Sequence, residues 1–210
     1  MVQAAKPDLE LILANSKTHI PDEHKQRVYE LLCELTEKSD KLFGTIIVLG
    51  YVPPQSFQKY DADPMKTDYF KNNTANIYDP GVEERLTKAI YQDGATLMDP
   101  EGNILHSGYN LIYKGCKDIW MQLHAPHEGY VWQRFGFVEE VGTRHTSAIS
   151  FSFRLPTSTV FIKSKSSGII RVFEKGRIIY SQIKKEIWVP GEALTPEEHP
   201  IHETAKVISS

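Results

Sequence analysis

Two short stretches carry residue types that chemistry needs. Gly142-Thr143-Arg144-His145, continuing Thr146-Ser147-Ala148, puts a glycine, a hydroxyl, a fixed cation and an imidazole on consecutive positions. Upstream, Asp93-Gly94-Ala95 sets a carboxylate before the two smallest residues, between apolar runs. Arg144 presents a planar fork of donors that matches phosphate. Thr143 offers a hydroxyl suited to capping a helix. His145 can donate to a phosphate or bind a metal through a neutral nitrogen. A helix starting here would add backbone N–H groups and its positive end. Asp93 can ligate a metal or act as a base, beside glycine backbone that a ligand can approach closely. Each stretch also has a plainer reading: a surface Arg-His pair for Arg144-His145, an Asp-capped turn for Asp93-Gly94-Ala95. Ser164-Lys165-Ser166-Ser167-Gly168 is a run of donors that forms either an anion nest or an ordinary loop.

Other motifs carry less. His124-x-x-His127 and His199-x-x-His202 have zinc-like spacing but neither nearby cysteines nor a clear helix. The aromatics of residues 114–137 (Trp120, Tyr130, Trp132, Phe135, Phe137) could stack bases, although aromatics more often pack in cores. No phosphate-binding Gly-x-x-x-x-Gly-Lys-Ser/Thr loop, dinucleotide Gly-x-Gly-x-x-Gly or Gly-x-Ser-x-Gly elbow is present. With 210 residues and a net charge of −3, the chain suits one domain without a basic footprint for nucleic acid. Cys33 and Cys116 form no disulfide or metal framework and read as reduced thiols. No apolar run approaches the ~20 residues of a membrane span, and the N-terminus lacks a signal-peptide pattern. The expected setting is soluble and cytoplasmic.

Elements must position these residues. Residues 1–21 read as an N-terminal arm or short helix. Pro21-Asp22-Glu23 opens a stronger helix, with Val28, Leu31, Leu32 and Leu35 on one face. Phe43 to Leu49 reads as a central strand buried on both faces. Residues 55–80 read as a loop with one short strand. Asp79-Pro80-Gly81 leads into a helix carrying Val82, Leu86, Ala89 and Ile90 to Asp93. Ala95–Met98, the Asp99-Pro100-Glu101-Gly102 turn and Ile104-Leu105 predict a hairpin, with a further strand at Tyr109–Tyr113. Residues 114–137 read as an excursion. After Gly142, Thr143 suits an N-cap, yet Ile149, Phe151 and Phe153 alternate as in a strand, so the period stays ambiguous. A strand around Val160-Phe161-Ile162 and a hairpin across Lys175-Gly176 follow. Residues 190–210 read as an extended tail. The pattern is α/β, or α+β-like, because helices and strands do not alternate regularly.

Taken jointly and in order, over roughly residues 25–185, these stretches resemble the diadenylate cyclase domain family, which makes cyclic di-AMP from two ATP. The resemblance rests on the Gly-Thr-Ile-Ile-Val-Leu strand, Asp93-Gly94-Ala95, Gly102 and Gly108, and Gly142-Thr143-Arg144-His145. It continues to Ser164, Gly168 and the Lys175-Gly176 turn. It implies a mixed, mostly antiparallel twisted sheet of about six to seven strands flanked by helices, in a domain over residues 22–189. It implies catalytic roles for Asp93, Arg144 and His145, with Asp93 and His145 near Mg2+ or Mn2+, Co2+ being a further option. Gly94, Ala95, Leu111, Gly142, Thr143, Ser164 and Lys165 would bind nucleotide, with Leu111 against adenine. ATP would be the substrate, cyclic di-AMP the product, and facing sites in a homo-oligomer the working unit. Two positions depart from the family: Thr146 stands where Arg-His-Arg is usual, and Lys165 where Ser-Glu is common. These admit an alternative, a catalytically weakened nucleotide-binding or sensing module of the same fold. Residues 1–21 lie outside this span, and by position they are a candidate regulatory segment.

Overall fold

The computed structural model describes residues 6–52, 62–64, 67–111, 137, 141–183 and 186. Among these, eight strands form one sheet: β1 (Thr45–Leu49), β2 (Ala62–Pro64), β3 (Ala75–Asn76), β4 (Ala95–Met98), β5 (Asn103–Leu111), β6 (Thr159–Lys163), β7 (Ile170–Glu174) and β8 (Arg177–Ser181). Their order is β2-β5-β4-β1-β6-β7-β8, with β3 also paired to β5. Only β1 and β4 run parallel; the other pairs are antiparallel. The expected mixed, mostly antiparallel α/β sheet is therefore what the chain forms.

The β-branched run of β1 is central because both its faces are covered. All five residues are buried. Ile47 and Leu49 join one apolar cluster with Val28, Leu31, Leu32 and Leu35 of helix α2 (Asp22–Glu37). Ile46 and Val48 join a second with Ala148, Ile149 and Phe151 of helix α4 (Thr143–Arg154). The period of two thus feeds two cores, each full side-chain burial contributing about 1.5–3 kcal/mol. Helix α3 (Val82–Ile90) places Val82, Leu86, Ala89 and Ile90 in the α2 cluster and hands the chain to Asp93.

Helix α1 (Lys6–Asn15) belongs to the body: Leu9 and Ile12 are buried in the α2 cluster, and Asn15 Nδ2 donates to Ile179 O at 3.0 Å. A buried carboxylate fastens the linker behind it. Glu174 accepts from Ser16 Oγ (2.7 Å), Lys17 N (2.6 Å), Thr18 Oγ1 (3.1 Å) and Thr159 Oγ1 (2.7 Å). Four donors on one carboxylate offset the cost of removing it from water.

Several expectations are corrected. The hairpin arm at Ile104-Leu105 and the strand at Tyr109 are one strand, β5, which passes through Gly108 at φ +71° with register shifts against β4. The 55–80 stretch contributes two short strands, β2 and β3, rather than one. The residues after Gly142 are helical. Their alternation misleads because Ser150 and Ser152 are fully buried among the apolar residues of α4, so polar positions do not mark its surface. Gly142, not Thr143, is the N-cap, without a side-chain cap bond. The aromatic excursion other than Phe137, His124, His127, His199, His202, Cys116 and residues 190–210 lie outside the described residues.

Candidate active site

The sheet topology gathers the site at one edge. β1 and β4 run parallel and both begin there, whereas β5 and β6, antiparallel to them, finish there. Register pairs Ile46 with Ala95, Ala95 with Tyr109, and Thr45 with Lys163. The N-terminus of α4 opens onto the same edge. Between them lies a cleft of about 720 Å3. Asp93, Gly94 and Ala95 line it from the start of β4, and Leu111 from the end of β5. Gly142, Thr143, Arg144 and His145 line it from the first turn of α4, and Ser164 and Lys165 from beyond β6. All ten candidate residues meet in this one cleft. Leu42, Ile46, Tyr109, Asn110, Ser147 and Ser166 complete the lining.

The cleft's electrostatics favour an anion. The first turn of α4 holds no acidic residue, and Arg144 stands where the helix end is already positive. Such a placement costs helix stability and concentrates potential. Arg144 Nη2 donates to Asp93 Oδ1 at 2.5 Å, so the two sequence motifs touch directly. Their side chains are 35% and 60% exposed. An exposed pair contributes about 0–1 kcal/mol, so a polyanion that takes the guanidinium can open it. Thr146 turns its hydroxyl back to Thr143 O at 2.8 Å.

His145 is held from behind. Its Nε2 lies 3.0 Å from Arg171 Nη1, which can only donate, so Nε2 accepts and Nδ1 bears the ring's proton. Burial, then the Arg171 charge, lowers the imidazole to about 4; Glu186 opposes and Arg144 reinforces the shift. The ring is therefore neutral, with Nε2 occupied by Arg171 and Nδ1 carrying the proton. Asp93 suits a metal better: Mg2+ commonly takes one or two carboxylates and completes its shell with substrate phosphate and water. Among the described residues no group of three or more His, Cys, Asp or Glu gathers as a closed metal site.

Two glycines make the cleft possible in ways the sequence hid. Gly94 has φ +114°, and a Cβ there would sit 2.6 Å from the Gly108 carbonyl carbon. The chain's own β5 approaches this backbone closely, while Gly94 still lines the cleft. Gly44 lets Lys165 lie against β1, since a Cβ would fall 2.9 Å from Lys165 Cβ. Sequence reasoning also missed Arg171, Ser181 and Glu186 behind His145. A charged residue inside the run Ile-Ile-Arg-Val-Phe was the available signal. It missed Asp68 too, whose Oδ2 lies 2.8 Å from His106 Nδ1, with the His106 ring 4.8 Å from that of Tyr109.

No protein-family model matches the chain. A curated relative, a diadenylate cyclase of Methanocaldococcus jannaschii, is 28% identical over 138 residues. The match covers 65% of this chain and 37% of the relative, so the chain spans well under half of that protein's length. Among solved structures, a hypothetical membrane spanning protein from Bacillus cereus superposes with a TM-score of 0.51 at 15% identity, over 83% of this chain and 70% of that one. That likeness concerns the fold. A mutant of DacA from Staphylococcus aureus aligns over 87% of this chain and 92% of that one, at 18% identity and a TM-score of 0.45. For the described residues, no helix is long and apolar enough to cross a membrane. The sequence match makes the chain similar to a diadenylate cyclase over 138 residues, and the residues of this cleft are the ones through which the sequence resembles that family.

Proposed function

We propose that the chain is a nucleotidyltransferase that condenses two ATP into cyclic di-AMP with release of pyrophosphate. The observation that carries this reading is the meeting of Asp93-Gly94-Ala95 and Gly142-Thr143-Arg144-His145 in one cleft, joined by the Arg144–Asp93 bond. Leu111 and Ile46 give an apolar wall for a base. Arg144, Thr143, Ser164, Lys165 and the N-terminus of α4 surround the triphosphate, and His145 donates through Nδ1. As phosphate draws Arg144 away, the Asp93 carboxylate is released to face the ribose. There it orients the 3′-hydroxyl and takes its proton while the oxygen attacks the α-phosphorus in line. The bond from that phosphorus to the bridging oxygen breaks, and pyrophosphate leaves with its charge met by Arg144 and Lys165. A Mg2+ or Mn2+ held at Asp93 would, when bound, add charge neutralisation at the phosphates. Because the product joins two nucleotides, two such clefts must face each other in a two-fold assembly.

The test is mass spectrometry of the reaction of purified chain with ATP and Mn2+. Cyclic di-AMP is expected, and Asp93→Asn should reduce its formation by on the order of 10²-fold or more. No product with Mg2+, Mn2+ or Co2+ would refute the reading. A second reading, a binding or sensing module, is favoured by Thr146, whose hydroxyl folds back onto the helix where a second cation would reach phosphate. Tight ATP binding without turnover, restored to turnover by Thr146→Arg, would establish it.

A further inference from the structure

Behind the cleft lies a buried polar chain whose members, His145 apart, do not line it. Arg171 is fully buried in β7. It donates through Nε to Glu186 Oε2 at 2.6 Å and through Nη2 to Glu186 Oε1 at 2.9 Å, a two-pronged clamp. Ser181 Oγ donates to Glu186 Oε2 at 2.6 Å. The remaining arm, Nη1, reaches His145 Nε2 at 3.0 Å. Phe137 turns its face to the guanidinium, whose carbon is 5.4 Å from the ring centroid, and meets the imidazole in a T-shaped contact with centroids 5.6 Å apart.

Such a chain is an expensive way to hold a sheet together. A buried ion pair often gives no more stability than apolar residues of equal volume. It does give direction. A guanidinium cannot accept a hydrogen bond, so an imidazole nitrogen facing it must be the lone-pair nitrogen. We propose that Arg171, clamped by Glu186, is a positioning residue for His145, fixing the ring as the neutral Nδ1–H tautomer so that its contact with an anion in the cleft is that of a donor. The carboxylate keeps the guanidinium from rotating, and the guanidinium keeps the ring from exchanging its proton between nitrogens. The arrangement parallels the general role of outer partners that set a histidine's tautomer, with the sign reversed. A carboxylate behind a histidine makes the near nitrogen the donor; an arginine makes it the acceptor. The rest of the lysines and arginines at the cleft act on the ligand as point charges or forks; this one acts through the ring.

The catalytic consequence rests on the nucleotidyl-transfer reading, but the tautomer does not. The experiment therefore reads both separately on the full chain. Two-bond proton–nitrogen correlation spectra of 15N-labelled protein at neutral pH report which imidazole nitrogen bears the proton, and His145→Gln identifies the signal among eight histidines. The parent is expected to show Nδ1–H. Arg171→Lys, which can satisfy Glu186 or His145 but not both, should lose that state. So should the paired replacement Arg171→Met with Glu186→Leu, which removes the buried charges together, a kind of exchange that is often neutral for stability, and whose folding circular dichroism checks. In the ATP assay both variants should lose about 10-fold or more in kcat, with KM changed less, because a donor to a leaving group matters most as charge develops. In a His145→Gln background the same substitutions should have little further effect, since Arg171 acts through the ring. Parent spectra showing Nε2–H or imidazolium, or variants that keep Nδ1–H, would overturn the proposal. Tautomer exchange in the variants of a parent that makes no product would sustain the positioning role and remove the nucleotidyl-transfer reading instead.

Discussion

Burial sets the protonation of His145 before any ligand arrives. Desolvation and then Arg171 hold its pKa at about 4, against about 6.5 in the unfolded chain. Between those values the unfolded state binds the extra proton, so the sign is that stability falls as pH falls. The neutral ring's contribution is complete above about pH 6.5 and lost toward pH 4, a swing of roughly 3 kcal/mol. Denaturant titrations of the parent at pH 7 and pH 4.5 should show this loss, and His145→Gln should flatten it. Equal pH dependence in both proteins would contradict the assignment. Arg144 and Asp93 are opposite in kind: exposed, paired and replaceable. Their bond is a resting contact, so Arg144→Ala should weaken ATP affinity at least 10-fold while leaving the melting temperature almost unchanged, as calorimetry would check.

At the scale of elements, the β4–β5 crossing is the geometric keystone of the cleft. Gly94 and Gly108 bring two backbones together so that Asp93 emerges at the sheet edge beside Tyr109. Gly94→Ala needs both a left-handed-type φ and space that Gly108 occupies. It should cost on the order of 3 kcal/mol and reduce activity together with stability; an unchanged unfolding midpoint would show that β5 yields. Helix α4 illustrates why its type was ambiguous in one dimension. At the 3.6-residue spacing, His145, Ala148, Ile149 and Ser152 face inward, and two of these four are polar. Ser152 earns its buried place by accepting from Gly176 N at 3.1 Å, tying the helix to the β7–β8 turn. That turn was legible, because Lys175 and Gly176 both take positive φ in a two-residue hairpin loop. Arg171 was visible as a charge within a strand but not its partner, since Glu186 sits beyond β8 and only the hairpin fold brings the two together.

For the whole molecule, α1 and its linker are part of what holds the sheet. Deleting residues 1–20 removes Leu9, Ile12 and Ile20 from the core and strips Glu174 of Ser16, Lys17 and Thr18. Three buried side chains alone amount to about 5 kcal/mol, comparable with the net stability of a domain. The truncated chain should melt at least about 10 °C lower or aggregate. Thermal scanning would check this, and an unchanged melting temperature would return the segment to the role of a detachable regulator.

The sequence by itself determined the elements with strong local signals and the identity of the cleft residues. β1 announced itself by five apolar or β-branched residues in a row, α2 and α3 by their apolar faces. Asp93 and Arg144-His145 were recognisable only jointly, by the order and relative placement of the two motifs through which the chain resembles a known family; each alone has an ordinary structural reading. Only the tertiary structure decided that Ser164, Leu111 and the two motifs share one sheet edge, for strand direction and order depend on pairings between distant segments. It alone decided which nitrogen of His145 bears the proton, because that is set by an arginine and a glutamate that are neighbours in space and not in the chain.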